Sequence, residues 1–319
     1  MIIRSLLLLL PMGLWAWYII QPGRNSREIT ATFLGFVWAF FSTLMLSSML
    51  VVLGALHFSV NDSLFYGVPL EWVFAQATMV GALVPLFRVL AWGVGGRVLV
   101  QFFLITLLTV ANLVDYTPHQ LVLIILGMGV LVAIPALLLS DWTALDTNIG
   151  KRSFLQSLTW TALLLWFFPS VIFQLSGSDW SGLLEKDVIT MGLNCIPLVL
   201  PAYFLISALY EFATKGGGTA FPYDPPKRLV TTGVYKIISN PMQVGITLSM
   251  GWWGVVIQSL WVSISAIIAV ILFVVFKDVC NGSCAIGQNN REWLRYQQTV
   301  PKWLPRLRWK NFLGIKQTR

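Results

Sequence analysis

The chain has 319 residues, of which 57% are hydrophobic and 11% are charged, and it carries a formal net charge of +8. A soluble domain has about 45–50% apolar and about 25% charged residues, so this composition excludes a water-soluble globule and predicts a membrane protein. The positive charge is typical of basic loops that face anionic lipid head groups, and it does not require a nucleic-acid partner.

Nine apolar stretches approach the roughly 20 residues that a helix needs to cross the bilayer core. Backbone polar groups in lipid must be paired within their own segment, so each stretch is predicted to be a helix. The first stretch lacks the small-residue cleavage site of a signal peptide and is expected to be a span. The fold is therefore predicted to be all-α, a polytopic transmembrane helical bundle of about nine spans. The predicted spans are residues 2–20, 30–56, 69–92, 97–114, 119–140, 153–175, 188–212, 242–257 and 262–276.

The basic residues fall on alternate sides of these spans. Of the 21 Lys and Arg, all but Arg4 and Lys186 lie on one side of the membrane in this arrangement. Short loops rich in Lys and Arg face the cytoplasm, so the N-terminus is predicted outside and the C-terminus in the cytoplasm. The short loops favour a bacterial inner membrane, with the chain as an integral multi-pass protein.

Ionisable residues in or near spans are candidates for function. Glu211, just before a glycine-rich loop, is either a functional group or an interfacial side chain. Arg88 is expected to extend to the membrane interface, and Asp141 and Asp146 are expected to be loop or cap residues. The Cys280–Cys284 spacing differs from the CxxC of redox and zinc sites, so no metal site is predicted.

Two polar segments on the predicted cytoplasmic side bracket a short helical hairpin. The first, residues 214–241, contains three consecutive glycines from Gly216, followed by three prolines between Pro222 and Pro226, a composition that excludes a regular helix. The second begins near Lys277, after the hairpin. Because the two segments flank one hairpin, we expect them to lie side by side at the membrane surface.

The sequence from Gly233 to Gly245, GVYKIISNPMQVG, precedes this hairpin, and Tyr296 and Val300-Pro301 follow it. This arrangement resembles the isoprenylcysteine carboxyl methyltransferase-like family, whose relatives include the membrane phospholipid methyltransferases. The resemblance covers roughly residues 214–308. It divides the chain into an unassigned transmembrane region, residues 1–187, and a methyltransferase-like membrane domain, residues 188–319.

The resemblance implies that the loop and the segment after the hairpin close around S-adenosylmethionine. It also implies a prenylated or lipid-like acceptor that enters from the bilayer, and residues 1–187 are a candidate surface for a partner subunit. Carried over by position, the implied cofactor-binding residues are Gly233, Tyr235, Asn240, Pro241, Gly245 and Tyr296. The implied catalytic residues are Asn240, Glu292 and Arg291.

The chain departs from the family pattern at Ser239, Asn240 and Gln243, where the pattern has arginine, histidine and an aromatic residue. The paired glutamates expected after the hairpin are not recognisable. A non-catalytic membrane protein that keeps the fold as a lipid-binding or partner-binding module is therefore the alternative. A sterol-reductase-like enzyme is less favoured, because such enzymes need more acidic and histidine residues than this region contains. A transporter is less favoured, because the sequence shows no convincing internal repeat.

Overall fold

A computed structural model of the protein describes residues 2–58, 64–113, 116–219, 224, 226–280 and 291–305. The side chains of residues 2–7, 64, 184 and 273–280 lie outside this description, although their backbone is included. The side chain of Cys280 and the whole of Pro222, Pro225 and Cys284 are therefore not described.

The described residues form eleven helices and one small hairpin of two antiparallel strands. The strands are β1 (Leu64–Phe65) and β2 (Val68–Pro69). The helices are α1 (Ile2–Ile20), α2 (Ser26–Val52), α3 (Leu70–Leu90), α4 (Val94–Val110), α5 (Pro118–Ala144), α6 (Ile149–Ser176), α7 (Ser181–Leu184), α8 (Val188–Gly216), α9 (Pro241–Val256), α10 (Leu260–Cys280) and α11 (Arg291–Thr299).

The prediction of a helical membrane protein is confirmed. Helices α2, α3, α5, α6 and α8 are long and apolar enough to cross a membrane. The other four predicted spans correspond to α1, α4, α9 and α10. Helices α4 and α9 have 17 and 16 residues, and in α1 and α10 the side chains of residues 2–7 and 273–280 lie outside the described part of the chain. The number of nine crossings and the orientation of the termini therefore stay predictions.

Three of the long helices contain a π-helical turn that is followed within two residues by a proline. The turns are Thr78–Leu83, Met128–Ala133 and Leu163–Phe167, and the prolines are Pro85, Pro135 and Pro169. A proline has no N–H to donate, and its ring displaces the preceding turn, so a widened turn accommodates it. The Gln101 side chain donates hydrogen bonds to two carbonyls in the first two of these turns, to Val80 O at 2.8 Å and Ala133 O at 3.2 Å.

By their internal contacts, the residues form two compact units. The first unit is Met1–Leu163 with Phe221–Asp224, and the second is Leu164–Ala220 with Pro225–Arg319. In the first unit, α2 packs against α3 and α5. In the second, α9 packs against α8 and α10. The predicted boundary between residues 187 and 188 concerns the family assignment and stays a prediction.

A buried ion cluster in the first unit corrects the interpretation of Arg88 and Asp141. The Arg97 guanidinium donates to both carboxylate oxygens of Asp141 at 2.7 Å, and its side chain is 3% exposed. Arg88 donates to Asp141 at 2.7 Å and also to Glu28. Asp141 is thus not a cap residue, because its carboxylate compensates the buried charge of Arg97. Arg88 is not a lone interfacial side chain, because its guanidinium pairs with Asp141 and Glu28.

A second group of charges surrounds Asp146, which lies in the turn between α5 and α6, as expected of a loop residue. Its carboxylate accepts from Arg27 and, at 3.2 Å, from Arg152, whose side chain is fully buried. Arg152 also lies 3.5 Å from the Asp224 carboxylate. Asp146 is therefore a loop residue that also binds two arginines.

Lys186, the predicted exception on the outer side, has a local role in the second unit. Its ammonium donates to the carbonyl of Val256, the last residue of α9. Carbonyls at the end of a helix lack an intrahelical partner, and a cation there also suits the helix dipole. This cap gives Lys186 a structural role that does not depend on the predicted orientation.

Candidate active site

The second unit carries a polar contact where α8 ends and the glycine-rich loop returns. The Glu211 carboxylate is buried, and the Lys215 ammonium lies 2.9 Å from its Oε2 atom and 3.1 Å from Oε1. The hydroxyl of Thr232 donates to the same carboxylate and accepts from Lys215 at 3.0 Å. Glu211 is therefore not a solvated interfacial side chain but the centre of a network that holds the loop to α8.

Gly233 lies directly against this network. Its φ is +57°, in the left-handed region that L side chains avoid. A Cβ atom at this position would lie 2.5 Å from Oε1 of Glu211. The loop backbone can approach the carboxylate this closely only because the residue is glycine.

The two tyrosines implied by the family resemblance lie together. The Tyr296 hydroxyl in α11 donates to the backbone carbonyl of Tyr235 at 2.7 Å, and both side chains are buried. The Tyr235 ring stacks on Phe212 of α8, with ring centroids 5.1 Å apart. Burial raises the pKa of both phenols, that of Tyr296 to about 12, so the Tyr296 hydroxyl keeps the proton that it donates.

Backbone hydrogen bonds join the loop to the segment after α11. Ser239 N donates to Pro301 O at 2.9 Å, and Asn240 N donates to Lys302 O at 3.2 Å. The expected proximity of the two polar segments is therefore present in the structure. The hairpin between them brings residues some 60 positions apart in sequence into contact.

Asn240 and Pro241 form the start of α9. Pro241 occupies the first helical position, where its missing N–H has no intrahelical acceptor to lose. Asn240 is buried and precedes the helix without capping it through its side chain. One turn later, the Gln243 Oε1 atom is buried and has no hydrogen-bond partner among the described residues.

The structure places the remaining predicted site residues apart from this contact. Gly245 faces α8, where a Cβ atom would lie 2.6 Å from Leu205 Cγ and 3.0 Å from Pro201 O. Arg291 and Glu292 are exposed in the first turn of α11. Gly245 is thus required for close helix packing, and the roles of all three in cofactor binding or catalysis stay predictions.

The sequence did not identify Thr232, Lys215 or Phe212 as part of the site. Their signal is weak, since threonine, lysine and phenylalanine are common near the ends of spans. The spacing of four residues between Glu211 and Lys215 could have suggested an ion pair on one helix face. Nothing local indicates that Thr232 reaches the same carboxylate.

Replacing Tyr296 by phenylalanine is expected to lower the free energy of unfolding by about 1–3 kcal/mol, because the buried Tyr235 carbonyl loses its donor. Denaturant unfolding in mixed micelles measures this change, and hydrogen exchange should quicken in residues 233–240. Tyr210→Phe is the matched control, since Tyr210 lies on α8 with 65% of its surface exposed. Equal stability of the two variants would contradict a structural role for the Tyr296 hydroxyl.

Comparison with known families gives a match to part of the chain. The model of the phospholipid methyltransferase family matches residues 190–280, less than a third of the chain. The matched region runs from α8 to the end of α10 and includes the loop that carries Gly233, Tyr235 and Asn240. No curated protein and no solved structure matches the chain.

Proposed function

We propose that this protein is an integral-membrane methyltransferase that transfers a methyl group from S-adenosylmethionine to a hydrophobic acceptor, either prenylated or lipid-like. The observation that carries the proposal is the phospholipid methyltransferase match over residues 190–280. Membrane methyltransferases of this kind generally use S-adenosylmethionine. The isoprenylcysteine methyltransferase-like subtype, a bacterial inner membrane and a partner subunit bound through residues 1–187 are further parts of the proposal.

Two features of the second unit fit this cofactor. The buried Gln243 Oε1 atom, without a partner among the described residues, can accept a hydrogen bond from an amino group. If the cofactor binds beside this ion pair, the Glu211 carboxylate would attract its sulfonium and the Lys215 ammonium would attract its carboxylate. Tyr235 and Tyr296 hold the loop to α11, because both rings are buried in one hydrophobic cluster.

When bound, S-adenosylmethionine supplies an electrophilic methyl group on sulfur. The protein needs no catalytic triad for such a transfer, since positioning and exclusion of water provide most of the acceleration. In this chain, the network of Glu211, Thr232 and Lys215 fixes the loop, and the pairing of Ser239 and Asn240 with residues 301–302 fixes the segment opposite. The apolar helices α8, α9 and α10 offer a hydrophobic acceptor a route from the bilayer.

The proposal is tested with the full chain purified in lipid nanodiscs. Binding of S-adenosylmethionine or S-adenosylhomocysteine is measured by calorimetry and by thermal unfolding. A ligand at 100 times its Kd raises the free energy of unfolding by about 2.7 kcal/mol. Transfer of a radiolabelled methyl group to extracted membrane lipids or to a prenylated cysteine then identifies the acceptor class.

Gln243→Leu is expected to weaken cofactor binding, because the amide that we assign to the ligand is removed. Gln258→Leu is the matched control, since Gln258 lies in the turn between α9 and α10, away from the loop. Absence of binding to the wild-type protein would overturn the proposal and favour the non-catalytic module.

A further inference from the structure

Helix α5 and the first two turns of α6, which lie in the first unit, form an open groove of about 380 Å³. Its volume lies within the range of about 300–1,000 Å³ that is usual for small-molecule sites. Nearly all of its lining surface is apolar and comes from Pro135, Leu138, Trp142, Phe154 and Leu155. The groove therefore suits a hydrocarbon chain and offers nothing for a polar ligand to bind along its length.

The groove has one polar end. Pro135, Leu138 and Trp142 lie on one face of α5, so the groove extends over about 10 Å of helix. Gly150 and Lys151, in the first turn of α6, line the end next to Trp142. This end lies at the turn between the two helices, on the side that the basic residues predict to be cytoplasmic.

The charge at this end is positive and uncompensated. The Lys151 ammonium lies 5.5 Å from the centroid of the Trp142 ring and forms no ion pair among the described residues. The nearby carboxylate of Asp146 is already compensated by Arg27 and Arg152. The N-terminus of α6 adds to the positive potential, because Asn148 makes no capping side-chain hydrogen bond there.

We propose that this groove binds one acyl chain of a phospholipid with net negative charge, whose phosphate contacts Lys151. The apolar wall receives the chain, and the lysine with the first-turn N–H groups of α6 receives the phosphate. A zwitterionic phospholipid carries its own cation next to the phosphate and gains less from Lys151. The site thus selects an anionic lipid, and it is independent of the proposed methyl transfer.

The test uses the full chain in detergent micelles, titrated with phosphatidylglycerol or phosphatidylcholine of identical acyl chains and followed by native mass spectrometry. The wild-type protein is expected to bind phosphatidylglycerol about fivefold more tightly, which corresponds to one lysine near an anionic head group. Lys151→Gln should abolish the preference, and Lys151→Arg should keep it.

A second variant tests the groove without removing a charge. Gly150 lines the groove, and a Cβ atom there would have no neighbour within 4 Å, so Gly150→Leu places an apolar side chain at the groove without crowding its own backbone. Gly95→Leu is the matched control, because Gly95 is also the second residue of its helix and also faces open space. Gly150→Leu should lower phosphatidylglycerol binding and Gly95→Leu should not.

Two results would overturn the proposal. Equal binding of both lipids by the wild-type protein would mean that only non-specific lipid surrounds the helices. Unchanged phosphatidylglycerol binding in Gly150→Leu would mean that the head group binds Lys151 at the surface and that the groove takes no acyl chain. Neither result depends on binding of S-adenosylmethionine, so the proposed enzymatic function is tested separately.

Discussion

Gly233→Ala is expected to lower the affinity for S-adenosylmethionine about tenfold or more and to lower methyl transfer with it. The added Cβ atom would lie 2.5 Å from Oε1, 2.7 Å from Cδ and 2.9 Å from Cγ of Glu211. Glu211 cannot move away without breaking its hydrogen bonds with Thr232 and Lys215. Losing about 1.4 kcal/mol from these hydrogen bonds at the binding site corresponds to a tenfold rise in the Kd for the cofactor. Calorimetry on the full chain in nanodiscs measures the effect.

Gly217→Ala separates the clash from the cost of the backbone conformation. Gly217 follows α8 as its C-terminal cap with a φ of +67°, so an alanine there also has a left-handed backbone, which costs roughly 1–2 kcal/mol. Unlike Gly233, it has no atom within 4 Å of the added Cβ position. If both variants bind the cofactor equally well, the contact between Gly233 and Glu211 does not shape the site.

Asp141→Asn is expected to lower the free energy of unfolding by about 3–5 kcal/mol. Breaking a buried ion pair by removing one partner leaves the other charge uncompensated in a medium of low dielectric constant. The guanidinium of Arg97 is 3% exposed and donates two hydrogen bonds to this carboxylate, and that of Arg88 donates a third. Denaturant unfolding in mixed micelles, with tryptophan fluorescence as the signal, measures the loss.

Asp179→Asn is the control for this substitution. Asp179 is exposed and accepts a hydrogen bond from Ser181 N, which an asparagine oxygen can also accept. Its replacement should change the free energy of unfolding by no more than about 0.5 kcal/mol. Adding Arg97→Met to Asp141→Asn should recover part of the stability, because the uncompensated cation is removed. A double variant less stable than Asp141→Asn would contradict this explanation.

The helices could be predicted from the sequence because hydropathy is a local property. The predicted span 119–140, for example, lies within α5, and the predicted hairpin corresponds to α9 and α10. The π-helical turns could not be located this way, since a proline within an apolar run is compatible with a kink, a break or a widened turn. Packing against neighbouring helices determines which of these forms.

The contact between the two polar segments was also predictable, because a short hairpin returns the chain to the same side of the membrane. This reasoning placed Tyr296 near the segment of Tyr235 and Asn240, and the structure brings them together through the Tyr296 hydroxyl and the backbone of residues 301–302. The closeness of Gly233 to Glu211 was not predictable, since it depends on the path of a loop with few local constraints. The role of Gly245 in packing on α8 was not predictable either, because it depends on which helix lies against α9.

Composition and hydropathy alone established that this chain is a helical membrane protein, because the free energy of placing backbone and side chains in lipid is a sum over local segments. The positions of the buried charges depend on three-dimensional packing. Arg97 and Arg88 lie 44 and 53 positions before Asp141 in the sequence. Each of the three residues lies near a span end, where it resembles an ordinary interfacial residue. Only the packing of α2, α3, α4 and α5 removes water from these groups, and that loss of water makes their mutual pairing necessary.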